Sequence, residues 1–406
     1  MSDKSKIIFF ICLIFSTIAM SESLVSTFYS SHGKYTGRIE INLDETAAVS
    51  GAALITTENI DLLTDALGSN ANMAYISEMD SIARLNDLAS PVSMVLSSPG
   101  YVDFTGLEIV RGSFFSAESC KYGQNVAVIS EKLAKELFKS YDILGEEFEL
   151  AGQQYMVTGI YRIKSSIISL LGSDGAQRVY VPYESLNQPV GAVIKTIMIH
   201  DDDIASNTFR EREVANTIRK NVIGDPDTYR ITDFYNSEIL SQYIRLVIFL
   251  TGLSLCCFIA AWLFRHIRKC FVFLRHKTRD MYFSEVLKAE KWFIVKSALT
   301  MVAAAGCIAL IWSAIKFRLY IPPEFVPQDN IFDIRFYVER IADTIALHNS
   351  SFGYIPSQYE IDFTNVLRIN VFLALCLTAE VLLAVSSLKA VRFTVMNGLF
   401  PQRLNI

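Results

Sequence analysis

Four apolar runs, each long enough to cross a bilayer, constrain this chain more than any other feature. A spanning helix needs about 20 apolar residues, or ~30 Å of helix. The runs are 7–29 (IIFFICLIFSTIAMSESLVSTFY), 243–264, 292–316 and 366–388. The connecting segments are far too polar to lie in lipid, so the 51% hydrophobic content is localised. The expectation is a membrane protein with an α-helical transmembrane region of four spans and a large domain outside it.

The first run has a second reading. Lys4 and Lys6 precede its apolar core and Ala19-Met20-Ser21 follows it, as in a cleavable signal peptide. The apolar pattern resumes past Glu22 with Leu24, Val25, Phe28 and Tyr29. The expectation is therefore an uncleaved span with both termini inside. Charge supports that orientation, because Lys and Arg near span ends mark the cytoplasmic side. Residues 265–291 hold eight bases against three acids, and residues 389–406 hold three bases and no acids. Residues 30–242 carry 29 acids against 17 bases, and residues 320–365 seven against two. The expected order is a cytoplasmic stub at 1–6, span 7–29, an external domain at 30–242 and span 243–264. A basic cytoplasmic loop at 265–291, span 292–316, an external loop at 317–365, span 366–388 and a cytoplasmic tail at 389–406 complete it. The net charge of −5 thus hides two oppositely charged faces, and nothing points to nucleic acid.

The external domain mixes strand and helix signals, which favours an α+β or α/β module. Strand-like patterning occurs at 37–42, 155–160, 179–181 and 229–231. Ser130 is a plausible N-cap for a helix that puts Leu133, Leu137 and Phe138 on one face. Residues 209–221 form a charged helix candidate. Of seven cysteines, Cys120 alone falls in the external segments, so that domain is expected to have no internal disulfide. In the loop 317–365, Ile331, Ile334, Val338, Ile341 and Ile345 recur at steps of three and four, a helical stripe. The plain expectation is a helix packed on the external domain. A helix on the membrane surface or one holding a partner is the alternative.

Catalytic signals are sparse. No Walker-type phosphate loop occurs, and six residues precede the first run, so ATP chemistry is expected on a separate chain. His200-Asp201-Asp202-Asp203 resembles a metal cluster or a base, but reads more simply as a solvated turn, and no metal is expected. The fourth run contains Glu380, about 14 residues in. A carboxylate at that depth is costly unless it faces other helices or water. A structural hydrogen-bonded role is expected for it.

Motifs within the external domain carry a resemblance. "GYVDFTGLEIVRGSFFSAES" (100–119), "NVAVISEKLAKELF" (125–138), "DILGEEFELAGQQYMVTGIY" (142–161) and "VYVPYESL" (179–186) occur in order. Gly145 and Gly152 suit tight turns, and Gly106 and Gly112 close bends. One span, an external domain and three further spans with a basic loop after the second complete the pattern. In motifs and layout the chain resembles the FtsX-like and MacB-like (type VII) ABC transporter permeases, with an extracytoplasmic α+β MacB-like core domain between spans one and two. The resemblance implies a cytoplasmic-membrane permease with no catalytic site or cofactor of its own, ATP and Mg being bound by a partner ABC ATPase. It implies a second permease copy or paralogue, and an extracytoplasmic adaptor or hydrolase as a further partner, besides membrane lipids. ATP hydrolysis would move the external domain to export or extract a peptide, antibiotic or lipoprotein-type substrate. The alternatives are a regulator of an external cell-wall hydrolase and a membrane-anchored binding or sensor protein.

Two features depart from that family. The helix that contacts the ATPase usually follows a motif like "rr.EIG.lkalGas". Here the matching stretch keeps Asp280 near the usual Glu but lacks the glycines. Arg279, Asp280, Met281, Phe283, Val286 and Leu287 are the expected ATPase-contact residues on this coupling helix. The loop 317–365 is also longer than the family commonly has.

Overall fold

The computed structural model describes residues 3–43, 55–67, 71–163, 175–186, 193–201, 216–217, 220, 229–235, 239–278, 282, 286, 290–315, 317, 327, 330, 332–350 and 356–399. The chain divides into two compact units. One comprises residues 1–22, 238–320 and 369–406, and the other residues 23–237 and 321–368.

Among the described residues, four helices are long and apolar enough to cross a membrane. They are α1 (Asp3–Ser31), α6 (Ile239–Lys277), α7 (Lys291–Ala314) and α9 (Gln358–Leu399). The helices α1, α6 and α9 each contain one of the four apolar runs, α7 covers 292–314 of the run 292–316, and α1 is helical straight through Ala19-Met20-Ser21. In the first unit, Ile14 and Ile18 of α1, Val247 and Ile248 of α6 and Ile369 of α9 pack around buried Ile244, Leu373, Ala374 and Leu377. Gly252 of α6 lets α7 approach. A Cβ at that position would lie 2.4 Å from the Ile315 side chain just past the helix end.

The second unit is built on a mixed sheet of ten described strands. They are β1 (Ile39–Leu43), β2 (Ala71–Leu85), β3 (Leu88–Ser97), β4 (Glu108–Gly112), β5 (Val126–Ser130), β6 (Glu147–Leu150), β7 (Gln153–Arg162), β8 (Arg178–Pro182), β9 (Thr196–Asp201) and β10 (Tyr229–Asp233). The order is β10-β1-β9-β2-β3-β8-β5-β7-β4, with β6 paired to β2 and β7. The β3–β8 and β5–β7 pairs are parallel and the rest antiparallel. Both faces are covered, which is why β1 and β5 are buried at every residue. Alternate side chains still part cleanly. Ala127 and Ile129 join the larger core, and Val126 and Val128 the smaller one. In β7 the register against β5 skips Thr158, so Tyr155, Val157 and Ile160 all reach the larger core while Tyr161 enters the smaller one. One inserted residue in a bulge reverses the alternation.

Short helices close the larger core. Leu63 of α2 (Thr57–Leu67) and Leu133 of α5 (Glu131–Leu137) are fully buried in it. Ser130 caps α5 as expected, its hydroxyl accepting from the Leu133 amide at 3.1 Å. Two more short helices, α3 (Tyr101–Phe104) and α4 (Ala117–Lys121), lie along the sequence that closes the smaller core. Gly112, Gly145 and Gly152 all take positive φ, as the turn reading requires.

Two expectations are corrected. The helix of the second external loop, α8 (Ile334–Ser350), does not bury the described part of its stripe, with Ile334, Val338 and Ile341 all more than half exposed, while the side chains of Ile331 and Ile345 lie outside the described residues. Asp201 is not in a solvated turn: it ends β9 fully buried, and its amide donates to the Tyr235 hydroxyl at 2.7 Å. His200 stacks on the Tyr35 ring and binds the Gly37 carbonyl, so both lie in the sheet's packing. Asp202 and Asp203 lie outside the described residues, as does most of the helix candidate at 209–221. Cys120 is buried and free.

Candidate functional site

The sequence places charge where a sheet must be dry. Arg38, Glu40 and Asn42 alternate with Ile39, Ile41 and Leu43 around β1, so one set faces the larger core and the other the opposite side. Yet Arg38, Glu40 and Asn42 are all at least 98% buried. A buried charge needs a partner and hydrogen bonds. Arg38 Nη2 lies 2.6 Å from Glu40 Oε1, and Nη1 donates to the Phe104 carbonyl at 2.6 Å. The guanidinium sits 3.7 Å from the Tyr359 ring centroid, a cation–π stack. Glu40 accepts from the Ser357 hydroxyl.

Ser357 and Tyr359 bring in the start of α9. The Ser357 hydroxyl accepts from the Glu360 amide at 3.1 Å, capping the helix while it binds Glu40. Tyr359 donates to the Thr36 carbonyl at 2.5 Å. One turn on, Asp362 pairs with His32 at 3.0 Å and accepts from the Gln358 side-chain Nε2 at 3.0 Å. The other His32 nitrogen lies 2.8 Å from the Phe28 carbonyl of α1. Phe28, Phe234, Tyr359 and Phe363 pack ring to ring around this core, with centroids 5.0–5.9 Å apart across the helix contacts.

The end of α1 is mated to the sheet through backbone. Gly33, with φ of 77°, turns the chain out of the helix, and the Lys34 and Tyr35 amides both donate to the Asp103 carbonyl. Gly106 faces the helix end so closely that a Cβ there would lie 1.6 Å from the Ser31 carbonyl oxygen. No side chain fits between these two strips of backbone. The outer ends of α1 and α9 are therefore fixed to β1 and to the 100–106 segment by ion pairs, caps and close backbone contact.

Further along the same two helices, polar pairs join them again within the first unit. Ser21 of α1 donates to Asn370 of α9 at 2.8 Å. Thr17 donates to both carboxylate oxygens of Glu380, at 2.9 and 3.2 Å. Glu380 is thus hydrogen-bonded between helices, as expected, and only 8% exposed. Where α6 leads into α7, Ser297 of α7 bridges His266 at 3.0 Å and Cys270 at 2.7 Å on α6, and Lys277 pairs with Glu290 at 3.0 Å.

Of the expected ATPase-contact residues, Arg279, Asp280, Met281, Phe283 and Leu287 lie outside the described residues. Val286 is described and is 1% exposed, so it packs within this chain and offers no surface to a partner. Tyr282 is 82% exposed. Among the described residues no group of three His, Cys, Asp or Glu is placed to hold a metal ion. The sequence reading missed the joint at β1, although an Arg-x-Glu pair inside a β-patterned stretch and a His directly after a span were its visible signals.

Comparison with known proteins gives the family. Residues 7–212 match the MacB-like periplasmic core domain. An ABC transporter permease of Bacillus subtilis strain 168, YknZ, is 29% identical over 136 residues, 32% of each chain. The matched stretch therefore spans about a third of that relative's length. The extracellular domain of the noncanonic ABC-type transporter YknZ from Gram-positive bacteria matches 48% of this chain and 100% of its own, at 20% identity and a TM-score of 0.39. The periplasmic region of MacB from Actinobacillus actinomycetemcomitans matches 55% of this chain and 97% of its own, at 15% identity and a TM-score of 0.41.

Proposed function

The chain belongs to the MacB-like periplasmic core domain family, and from that premise we propose that it is the permease subunit of an ABC transporter that transmits force to its external domain. A separate cytoplasmic ATPase binds and hydrolyses ATP. It engages the basic stretch after α6 through Arg279, Asp280, Met281, Phe283 and Leu287. The resulting movement passes along the membrane helices to the sheet, and the work is done on the extracytoplasmic side. Two copies, or this chain and a paralogue, form the working unit with an external adaptor. The substrate is of the peptide, antibiotic or lipoprotein type.

One observation carries this reading. Both α1 and α9 are unbroken helices, and their outer ends are fixed to the sheet by Gly33, Gly106, Arg38–Glu40 and His32–Asp362. Helices that only anchored a domain would need no such joint, because a flexible linker holds a domain to a membrane equally well. A movement can be transmitted only through contacts that do not give. Buried ion pairs and backbone packed without a Cβ are contacts of that kind.

The test is purification of the chain from its native membrane in mild detergent. An ABC ATPase should accompany it, with ATP turnover that depends on the chain. Recovery with no ATPase, and no stimulation of ATP hydrolysis when the candidate ATPase is added, overturns the assignment.

A further inference from the structure

The helix α8 exposes apolar side chains among its described residues. Phe332 just before it is 88% exposed, and Ile334, Val338 and Ile341 within it are 77%, 60% and 52% exposed. At 3.6 residues per turn, Ile334, Val338 and Ile341 fall within about 60° of one another around the helix. Measured from the middle of that stripe, Arg335 lies about 90° away, and Glu339 and Arg340 about 130° away on opposite sides. Glu339 holds the Arg335 guanidinium at 2.7 Å, and Arg340 lies over the Phe336 ring at 5.6 Å. An apolar stripe with the charged residues set about 90–130° round the helix from it is the pattern of a helix lying in a membrane interface.

Chain connection supports the same occupant. Nineteen residues separate α7 from α8, and seven separate α8 from α9. Both neighbours are membrane-crossing candidates, so α8 is tethered at each end to the outer face of the bilayer. Seven residues reach at most about 25 Å. With 17 residues and a charged side, α8 is too short and too polar to cross. One acid and two arginines among its described side chains leave little net charge, so headgroup attraction adds little and apolar area provides the binding.

We propose that α8 lies flat in the outer leaflet, with Ile334, Val338 and Ile341 in the acyl-chain boundary and Arg335 and Arg340 at headgroup level. The occupant of this face is lipid.

The experiment uses the full chain with Trp262, Trp292 and Trp312 replaced by Phe and one Trp introduced. Val338→Trp and Ile341→Trp report the stripe, and Glu339→Trp reports the far side. Each variant is placed in nanodiscs of phosphatidylcholine with and without bromine on the acyl chains. Size-exclusion profiles matching the parent confirm folding, and all three positions are exposed, so substitution there leaves packing intact. The stripe positions should be quenched roughly twofold or more by brominated lipid, and position 339 much less. Quenching should be about the same in discs containing anionic phosphatidylglycerol. Equal weak quenching at all three positions, with full access to iodide, would show a helix in water and overturn the proposal. Stripe positions shielded from both quenchers would show a protein occupant, a second copy or an adaptor, and overturn it equally.

Discussion

Replacing Glu40 with Gln should reveal how firmly the sheet is joined to α9. The substitution keeps the shape of the side chain and removes its charge. Arg38, whose side chain is 3% exposed, then loses its buried counter-ion. With charges about 4 Å apart and an effective dielectric of about 20, the lost attraction is ~4 kcal/mol. That figure agrees with the ~3–5 kcal/mol typical of breaking a buried pair. At about 2–4 °C per kcal/mol for a unit of this size, the external unit should melt about 6–20 °C lower. Scanning calorimetry of the detergent-solubilised chain measures the shift, and near-UV dichroism of the sheet's tyrosines assigns the transition to that unit. Arg38→Met should fall by a similar amount, because it leaves Glu40 charged with only the Ser357 hydroxyl as a described partner. The double variant Arg38→Met, Glu40→Met should recover most of the loss, since a buried pair replaced by apolar groups costs little. A shift below about 2 °C for Glu40→Gln, or a double variant as unstable as the two single losses added, would refute a buried charge pair at this joint.

Other outcomes follow from the same structure. Gly106→Val should separate α1 from the sheet, because even a Cβ meets the Ser31 carbonyl oxygen at 1.6 Å; protease digestion should then cut near residue 33, and resistance equal to the parent contradicts the close packing. Burial pushes the Cys120 thiol up to about 12, with Glu184 adding to the effect, so a membrane-impermeant thiol reagent should leave Cys120 unlabelled in folded protein at pH 8 and label it on unfolding. Burial also raises Tyr101 to about 12, against an opposing pull from Arg178. Both groups bind their protons more tightly when folded, so the stability they contribute is complete below about pH 9 and is lost as pH rises towards 12. Urea titrations of the full chain at pH 8 and pH 10.5 should show that decline, and a midpoint that does not fall opposes the assignment. Glu380→Gln should be near neutral because an amide still accepts from Thr17, whereas Glu380→Ala should cost about 0.6–1.7 kcal/mol in steric-trap unfolding, the range of interhelical hydrogen bonds in membranes. Phe283→Asp with Leu287→Asp should abolish ATPase association and leave the melting of the external unit unchanged.

The four spans were legible because the bilayer sets their length and composition directly, leaving little for tertiary context to alter. The strands at 155–160 and 179–181 were legible for a related reason: Val157, Ile160, Val179 and Val181 enter a core from a β-branched sequence. The long β2–β3 hairpin was not. Its strands carry Ser77, Glu78, Asp80, Ser90 and Ser93, polar residues that break the apolar pattern, and the pairing of Ser93 and Arg178 with Glu78 across the sheet shows only in the fold. Asp201 misled for the converse reason, since an acidic run suggests solvent until the Tyr235 hydroxyl is known to meet its amide.

The joint was the least legible part. His32 meets Asp362, and Glu40 meets Ser357, across more than 300 residues of sequence. Each is an ordinary polar residue in its own neighbourhood, and the signal lies entirely in the pairing. The helical period of α8 could be read, but period says which residues share a face and not what covers it. Its exposure is a tertiary fact.

The central claim is that ATP turnover moves the external sheet through the fixed ends of α1 and α9. It is tested most directly by spin labels on Tyr122→Cys, 71% exposed on the external unit, in the proposed complex of two permease copies with the ATPase. The cysteines accessible in folded protein are first replaced, and the distance between the two labels is measured without nucleotide and with ATP trapped. The account predicts a shifted distance distribution with ATP, and a shift that disappears in Gly106→Val with Glu40→Gln while hydrolysis continues. An unchanged distribution in the parent complex, with ATP turnover intact, contradicts it.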